Sequence, residues 1–359
     1  MRTLLARFSS VSAVLLAVLA PLAHGEEVLY LYIWNSYLSE DTVRRFEAHC
    51  HCRVNQDFYS DNEEMLAKLE AGASGYDLLV PTGNAVEALL RQQALRPLDK
   101  QKLPNLKNVK ARFRDPWYDP GMRYAVPYAT TLTLLGYNAT KLAELGLPTD
   151  TWALIFEPRY LEKLKGKVTV LNSQRELMAA AMKYLGYSVQ ETDPARWAEA
   201  KRLILRAKPY WATFSNSTYI KDLAIGNIWV AHGYSSDMYR AQQDAREAKR
   251  PFSIDFRLPK EGAVLAVDSF VLHKGGSRPD LAHQFINFML DGANAADGSN
   301  LIGAGNPNAA ATEHIVPEIA GNPGIFPPPD DLQRLEMLRD FDPKTRRILS
   351  RMWTEIKVR

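Results

Sequence analysis

Residues 28–81 read VLYLYIWNSYLSEDTVRRFEAHCHCRVNQDFYSDNEEMLAKLEAGASGYDLLVP. Short runs of β-branched and aromatic residues alternate here with segments of helical periodicity. Strands are predicted at 28–34, 53–59 and 76–81, and helices at 39–49 and 62–72. Ser39 fits an N-cap for the first helix, because its hydroxyl can accept from a backbone N–H of the first turn. The β-α-β-α-β order predicts a mostly parallel sheet with helices on both faces.

A second series of the same kind follows a stretch that is punctuated by prolines. Strands are predicted at 132–138, 167–172, 227–235 and 263–272, and helices at 86–93, 175–187, 194–208, 278–290 and 330–357. The chain is longer than one hydrophobic core usually serves, so two α/β lobes are expected. The part beyond about residue 260 is too short for a third domain, so we expect it to add elements to both lobes.

The N-terminus has the pattern of a secretory signal peptide. Arg2 and Arg7 precede an apolar run over 11–22, which ends in small residues near Gly25. We therefore predict a signal peptide over 1–25 and a mature chain from Glu26, with an uncleaved anchor helix as the alternative. No later segment approaches the roughly 20 apolar residues that a membrane-spanning helix needs.

The distribution of charge along the chain does not indicate a class of binding partner. Without the leader's two arginines, the 44 basic residues become 42 against 41 acidic ones, which is a formal charge near +1. Basic and acidic residues are interspersed along most of the chain, whereas a nucleic-acid-binding protein usually has a basic stripe. No nucleic-acid partner is predicted.

The two cysteines, Cys50 and Cys52, flank His51 and follow His49. All four residues are possible ligands of a metal or redox site. Four nearly consecutive residues can hardly surround one tetrahedral zinc ion, and no second cluster completes the shell. An incidental loop between helix and strand is therefore favoured, and a disulfide across so tight a ring would add little stability. No metal and no cofactor are predicted.

Aromatic and acidic residues recur at the ends of the predicted strands, where ligands of open α/β sheets bind. They and their polar neighbours are Trp34, Asn35, Ser36 and Tyr37, then Thr82 and Asn84, then Tyr234 and Asp237, and Asp268. This combination suits an organic cation, because an ammonium over an aromatic ring gains about 0.5–2 kcal/mol and a carboxylate adds charge-assisted hydrogen bonds. Each residue alone could equally pack in a core, cap a helix or form an ion pair.

Catalytic motifs are absent from the sequence. It contains no G-x-S-x-G elbow, no H-E-x-x-H, no Walker loop and no G-x-G-x-x-G. His232 lies in an apolar strand and is expected to be a core histidine, and the segment IGAGNPN (302–308) is interpreted as a connection between lobes. The chain is therefore predicted not to be an enzyme.

Seven segments, taken in order, resemble the bacterial periplasmic spermidine/putrescine-binding proteins of ABC transporters, especially the putrescine-preferring branch. They are LYIWNSYLSEDTVRRFE (31–47), AGASGYDLLVPTGNAVEALL (71–90), LRPLDKQKLPNLKN (95–108), AVPYATTLTLLGYN (125–138), YIKDLAIGNIWVAHGY (219–234), LPKEGAVLAVDSF (258–270) and NPGIFPP (322–328). The resemblance implies a type II periplasmic binding protein, with two α/β lobes, a hinge and a ligand cleft between the lobes. Lobe 1 would comprise 26–130 plus 264–305, and lobe 2 would comprise 131–263 plus 306–359.

The resemblance also implies which residues bind the ligand. They are Trp34, Asn35, Tyr37, Thr82, Asn84, Glu176, Tyr234, Asp237 and Asp268. This chain departs from its relatives at Ala266 and Ala304, where they have aromatics, at Ser36, which is acidic in some of them, and near Asn172, where an acid is missing. A bulkier amine could fill the extra space, or affinity for simple polyamines could be low; the remaining acids imply a cationic ligand in either case.

The function that follows from the resemblance is that of a periplasmic solute-binding protein. Such a protein captures a polyamine, a putrescine- or spermidine-like cation, between its two lobes. We expect it to be a monomer that delivers the ligand to an inner-membrane ABC permease. The alternative is a polyamine-sensing protein that regulates a membrane signalling receptor.

Overall fold

The computed structural model describes residues 27–358, so the predicted signal peptide over 1–25 lies outside the described residues. Its strands are β1 (Glu27–Trp34), β2 (Cys52–Tyr59), β3 (Leu78–Leu79), β4 (Leu95–Arg96), β5 (Ala125–Asn138), β6 (Val168–Val170), β7 (Thr213–Phe214), β8 (Val230–Tyr234), β9 (Ile254–Arg257), β10 (Ala263–His273) and β11 (Leu335–Glu336). They form one connected sheet with the main order β2-β1-β3-β10-β5-β8-β6-β7.

The helices lie between and around these strands. They are α1 (Glu40–Cys50), α2 (Asn62–Glu70), α3 (Gly83–Arg91), α4 (Ala139–Glu144), α5 (Ala153–Phe156), α6 (Pro158–Leu161), α7 (Gln174–Tyr184), α8 (Pro194–Ala207), α9 (Thr218–Ala224), α10 (Ser235–Glu247), α11 (Pro279–Met289), α12 (Gly292–Ile302), α13 (Pro317–Ala320), α14 (Pro329–Leu332) and α15 (Pro343–Val358). The β-α alternation of the first 65 described residues is confirmed.

The first half of the sheet is parallel, as predicted. Strand β1 pairs in parallel with both β2 and β3. Its side chains alternate between two cores, because Leu31 packs on one face of the sheet and Tyr32 on the other. Ser39 caps α1, with its hydroxyl accepting a 2.9 Å hydrogen bond from the backbone N–H of Thr42.

Strands β5 and β10 depart from the predicted parallel arrangement. They pair with each other in antiparallel fashion, and β5 then continues to pair in antiparallel fashion with β8 and β9. The predicted strand 132–138 is therefore only the second half of β5. The first half contains Pro127, which is tolerated because it lies opposite Ser269, where β10 has a register shift.

The prediction of one continuous helix over 330–357 is confirmed only in its second half, in α15. The structure divides this segment into α14, the short strand β11 and the helix α15. Strand β11 pairs with the start of β10, and Pro343 begins α15, where its missing N–H is not needed. Apolar residues made the segment look like one helix, but pairing with the sheet outweighed that pattern.

The long strand β5 connects separate hydrophobic cores. Val126 and Tyr128 pack in a core with β1 and α11, whereas Leu135 and Tyr137 pack in another with α7 and α8. His232 is fully buried beside the second core, as expected. Its Nδ1 accepts from the Leu171 N–H at 3.4 Å, and burial lowers its pKa to about 3, so the ring is neutral.

The segment 302–308 passes alongside the middle of β5. Gly305 and Thr130 exchange two backbone hydrogen bonds of 2.8 and 2.9 Å. A Cβ at Gly305 would lie 2.3 Å from the Thr130 hydroxyl oxygen, so this close approach requires glycine. The chain therefore returns to the strand that joins the two cores.

Cys50 and Cys52 form a disulfide that joins the end of α1 to the start of β2. Both sulfurs are bonded to each other, so in this state neither is a thiolate ligand for a metal, and residues 27–358 contain no group of three or more possible metal ligands. His51 between them adopts a left-handed conformation with φ of 53°, which ends the helix.

Removing this disulfide should change stability little. The closed ring spans three residues, and the entropy of closing so short a loop corresponds to less than about 2 kcal/mol. We expect the double variant C50A/C52A to lose less than that amount in free energy of unfolding, measured by urea denaturation. A loss above about 3 kcal/mol would mean that the pair fixes the α1–β2 connection by more than chain entropy.

Within residues 27–358, no helix combines the length and apolar character needed to cross a membrane.

Candidate functional site

Asp268 lies in the middle of β10, between the two halves of the sheet, and only 2% of its surface is exposed. The Thr82 hydroxyl donates to its Oδ1 at 2.6 Å, and the Tyr37 hydroxyl donates to its Oδ2 at 2.8 Å. Burial raises the pKa of Asp268 to about 6, although these two hydrogen bonds oppose the shift. The structure thus holds a carboxylate that has hydroxyl partners and no cationic one among the described residues.

Aromatic rings surround this carboxylate. The Trp34 ring centroid lies 6.1 Å from that of Tyr37 and 4.6 Å from that of Tyr59, and Tyr37 lies 6.3 Å from Tyr128. Tyr128 also fixes the loop after β1, because its hydroxyl donates to the Tyr37 carbonyl at 3.0 Å. The result is a wall of flat faces beside a negative charge, which is the arrangement that attracts an ammonium group.

Asp237 lies in the first turn of α10 and is half-buried. Its carboxylate accepts a hydrogen bond from the hydroxyl of Tyr219, which is fully buried on α9. Burial raises the pKa of Asp237 to about 6, against the lowering effect of that hydrogen bond. The Tyr219 oxygen also lies 3.5 Å from the backbone N of Tyr234, so one hydroxyl contacts two predicted site residues.

Glu176 is buried in the first turn of α7. The hydroxyl of Thr133, on β5, donates to its Oε2 at 2.8 Å. Burial raises the pKa of Glu176 to about 7, and the Thr133 hydrogen bond and the neighbouring Arg175 charge oppose the rise. This carboxyl group is therefore the third whose ionisation is disfavoured by its surroundings.

Burial and nearby carboxylates raise the pKa values of two tyrosines at these positions. The pKa of the Tyr37 hydroxyl is raised mainly by burial and by Asp268, and the Asp237 charge adds to the rise. The pKa of Tyr234 is raised by burial and then by Glu176, Glu63 and Asp237. The charges that raise the pKa values of these two tyrosines therefore come from both halves of the sheet.

Two predicted site residues make none of the contacts described above. Asn35 is exposed and lines an open surface pocket together with Phe58 and Arg44. Asn84 is half-buried in the first turn of α3 and makes no side-chain hydrogen bond to the acids in the described part of the chain. The structure brings together Trp34, Tyr37, Thr82, Glu176, Tyr234, Asp237 and Asp268.

Sequence reasoning missed the hydroxyl partners of two acids. Thr133 lies within a strand and Tyr219 within a helix, whereas the search covered the residues after strand ends. Tyr59 and Tyr128 were missed for the same reason. A signal was available for Thr133, because it is a hydroxyl residue between the apolar residues Leu132 and Leu134.

The two small residues noted in the sequence differ in position. Ala266 is half-buried and pairs with Thr131 on β5, whereas Ala304 is fully buried just after α12. Ala266 is two residues from Asp268, so its side chain points to the same face of β10. Position 266 therefore has no aromatic ring on the face of β10 that carries the Asp268 carboxylate.

Comparison with known proteins gives one family over most of the chain. Residues 41–327 match the family described as bacterial extracellular solute-binding protein. A putrescine/cadaverine-binding protein of Pseudomonas aeruginosa is 56% identical over 337 residues, which cover 94% of this chain and 95% of that protein. The putrescine-binding periplasmic protein PotF of Escherichia coli is 37% identical over 355 residues, which cover 97% of this chain and 96% of that protein.

Solved structures have the same architecture. A putative spermidine/putrescine ABC transporter protein from Listeria monocytogenes superposes with a TM-score of 0.83 at 28% identity, over 92% of this chain and 99% of that chain. The Tp0655 (TpPotD) lipoprotein of Treponema pallidum superposes with a TM-score of 0.81 at 31% identity, over 93% of this chain and 100% of that chain.

Proposed function

This chain belongs to the bacterial extracellular solute-binding protein family, and from that membership we propose that it captures a polyamine between its two lobes. It has the type II periplasmic binding protein fold that the sequence resemblance implied. The role of its relatives is binding and not chemistry, so we infer a binding protein and not an enzyme.

One observation carries the proposal. Within residues 27–358 the side chains of Asp268, Asp237 and Glu176 accept hydrogen bonds from hydroxyl groups and from no cationic side chain, and burial raises the pKa of each of them. Ionised carboxylates in such surroundings are costly unless a positive charge accompanies them. A ligand with ammonium groups supplies those charges and forms charge-assisted hydrogen bonds.

The aromatic wall adds a preference for amines with an aliphatic chain. Trp34 and Tyr37 can hold an ammonium over their faces, and methylene groups can lie flat on the same rings. A simple metal cation would gain nothing from those methylene contacts, and an anion would be repelled by the three acids. Putrescine and cadaverine are short diamines that fit both requirements.

Calorimetry tests the proposal directly. Mature protein from Glu26 is titrated with putrescine, cadaverine and spermidine at pH 8, and native mass spectrometry of the untreated protein identifies any ligand that co-purifies. We expect binding of at least one of these amines below millimolar concentration. No heat and no mass shift with all three at millimolar concentration would end the polyamine assignment.

The lobes, partner and compartment complete the proposal. We place lobe 1 at 26–130 plus 264–305 and lobe 2 at 131–263 plus 306–359, with closure about β5 and β10. The division is supported by the separate cores along β5. The protein acts as a monomer in the periplasm and delivers the amine to an inner-membrane ABC permease. A smaller radius of gyration with ligand than without it, measured by X-ray scattering, would support closure.

Tyr219 should position Asp237 for the ligand. We expect Tyr219→Phe, which removes only the hydroxyl, to raise the Kd about tenfold, because a hydrogen bond to a charged group contributes about 1.5–3 kcal/mol. The Asp237 pKa should also rise, since the lost hydrogen bond lowers it in the parent. Affinity measured against pH should therefore begin to fall at a higher pH.

A matched control is Tyr137→Phe. The Tyr137 hydroxyl donates to Asp255 at 3.3 Å in the same half of the molecule, outside the site. This variant should keep the parent's Kd and pH profile. Equal effects of the two substitutions would mean that Tyr219 acts through general stability and not through Asp237.

A further inference from the structure

Residues 339–341, between β11 and α15, contact both of the proposed lobes. Their attachment to lobe 2 is made by packing and by the backbone. Phe341 is buried in the core with α7 and α8, where its ring centroid lies 5.4 Å from that of Trp197. The Arg339 carbonyl accepts a 2.7 Å hydrogen bond from Nη2 of Arg175 on α7. The segment is therefore fixed to lobe 2.

The same segment contacts lobe 1 through α3 and the loop before β5. The Asp340 backbone N donates to Glu87 Oε2 at 2.9 Å, and the Asp340 carboxylate pairs with Arg91. The Arg339 guanidinium lies 5.0 Å from the ring centroid of Trp117. The indole Nε1 of Trp117 in turn donates to the same Glu87 oxygen at 3.4 Å. An ion pair, a hydrogen bond and a cation–π contact thus join two residues of lobe 2 to lobe 1.

These contacts connect two helices that carry residues of the candidate site on opposite lobes. Thr82, which donates to Asp268, is the residue before α3, and Glu176 lies in the first turn of α7. Because α3 and α7 belong to different lobes, opening of the cleft changes their separation. A segment that is fixed to α7 loses its hydrogen bond and ion pair with α3 once that separation grows by a few ångströms.

The Asp340 carboxylate keeps a positive neighbour when Arg91 moves away. Its side chain is only 9% exposed, and Nη1 of Arg346 on α15 lies 4.0 Å from its other carboxylate oxygen. A buried carboxylate left without any cation would be so costly that the two lobes could hardly separate. With Arg346 beside it in lobe 2, the pair with Arg91 can break and form again.

We propose that residues 339–341 are a latch, which stabilises the closed arrangement of the lobes through Glu87, Arg91 and Trp117. The inference rests on the proposed capture of a ligand between two lobes. It assigns part of the affinity to residues other than those of the candidate site. Contacts that exist only in the closed form raise its population, and the apparent affinity rises with the population of the form that holds the ligand.

The variant R91M tests the latch, because it removes the cation and keeps an unbranched side chain. Calorimetry at pH 8 measures the Kd for putrescine and for spermidine, and stopped-flow tryptophan fluorescence measures the dissociation rate. We expect both Kd values to rise by the same factor, about 5- to 30-fold, since the latch acts on closure and not on the ligand. The rise should come mainly from faster dissociation, because the contacts that are lost belong to the bound state.

Two further variants change the latch from the side of lobe 2. R339M removes the guanidinium over Trp117 but keeps the backbone carbonyl that binds Arg175, so it should raise both Kd values in the same ratio and by less than R91M. The double variant R91M/D340N should bind no more weakly than R91M, since both substitutions remove the same ion pair. R339M also replaces R91M as the test variant if R91M unfolds.

The matched control is R196M. Arg196 pairs with Glu191 at 2.6 Å within lobe 2, and its side chain is 47% exposed against 45% for Arg91. This variant loses a comparable ion pair that does not join the lobes, so it should keep the parent's Kd and dissociation rate. Thermal melting of each ligand-free variant confirms that it is folded.

Parent-like Kd values and dissociation rates in R91M would overturn the inference and leave the proposed function intact, because the contacts would then persist in the open form. An equal loss of affinity in R196M would also overturn it, since general stability would explain the effect. So would a changed ratio of the two Kd values in R91M, because Arg91 would then act on the ligand itself. Parent protein that binds neither amine would reject the proposed function.

Discussion

Replacing Asp268 with Asn should nearly abolish polyamine binding while making the empty protein more stable. The carboxylate is 2% exposed and has only the hydroxyls of Thr82 and Tyr37 as partners. Removing one charge of a buried, hydrogen-bonded pair costs about 2–5 kcal/mol, so the Kd for putrescine should rise roughly 30- to 5,000-fold. Calorimetry on both proteins at pH 8 measures the change.

The gain in stability follows from the same burial. Burial raises the Asp268 pKa from 3.8 to about 6, so keeping it ionised at pH 8 costs up to about 3 kcal/mol without a ligand. Asn has no such cost and can still bond both hydroxyls, because its oxygen accepts and its NH2 donates. We expect a gain of about 1–3 kcal/mol in free energy of unfolding by urea denaturation.

Asp77→Asn is the matched control. Asp77 is equally buried but lies at the opposite end of β3, where its carboxylate accepts from the backbone N–H groups of Tyr30 and Arg278 at 3.0 and 2.7 Å. An Asn NH2 cannot accept one of those bonds, so this variant should lose about 1–3 kcal/mol of stability and keep its Kd. Weak binding by D77N, or parent-like binding by D268N, would contradict the assignment of the site.

Polyamine binding should weaken steeply as the pH falls. The pKa values of Asp268 and Asp237 are raised to about 6 and that of Glu176 to about 7, and the ammonium ligand needs these carboxyls ionised. Between pH 8 and pH 5 all three become mostly protonated. We expect the Kd to rise at least about 100-fold over that interval, because each proton must be removed before binding.

The stability of the empty protein should respond with the opposite sign. A carboxyl group whose pKa is higher in the folded than in the unfolded protein binds its proton more tightly when the protein is folded. These three groups therefore leave the free energy of unfolding unchanged below about pH 4, and they lower it by their full contribution above about pH 7. Ligand should consequently raise the melting temperature much more at pH 8 than at pH 5. Protons released on binding at pH 6.5 can be counted by calorimetry in buffers of different ionisation enthalpy.

The outcome that would contradict this prediction is a pH-independent Kd with no proton release. That result would mean that the carboxyls remain ionised in the empty cleft. E176Q separates the contributions, because it removes the group with the highest pKa. The decline in affinity of this variant should begin about one pH unit lower than that of the parent.

Local patterns predicted much of the fold because the relevant forces act over few residues. The alternation of side chains over 28–34 predicts a strand, and the cap at Ser39 predicts the start of a helix. Both features depend only on residues that are close together in the sequence. The prediction of a single helix over 330–357 failed for the opposite reason, because the pairing of β11 with β10 joins residues about 70 positions apart. No local sequence pattern indicates a contact between residues so far apart.

The candidate site was predicted in part. Trp34, Tyr37 and Asp268 stood out as aromatic and acidic residues on predicted strands or just after them, and the structure brings them together. Asn35 met the same criterion, and its side chain is exposed in the loop after β1, so its role in binding stays a prediction. Glu176 could be identified as a site residue only through the resemblance to a family, since a glutamate in the first turn of a helix is common on any protein surface.

The amino-acid sequence by itself determined the class of fold and the order of the first elements, and it led to the proposal of a cationic ligand. These follow from periodicity, from helix caps and from residue chemistry, all of which are local. Only the tertiary structure decided that β5 and β10 join the two halves and that Thr133 and Tyr219 hold two of the acids. The physical reason is that pKa values and charge balance depend on burial and on neighbours distant in sequence, which exist only once the chain has folded.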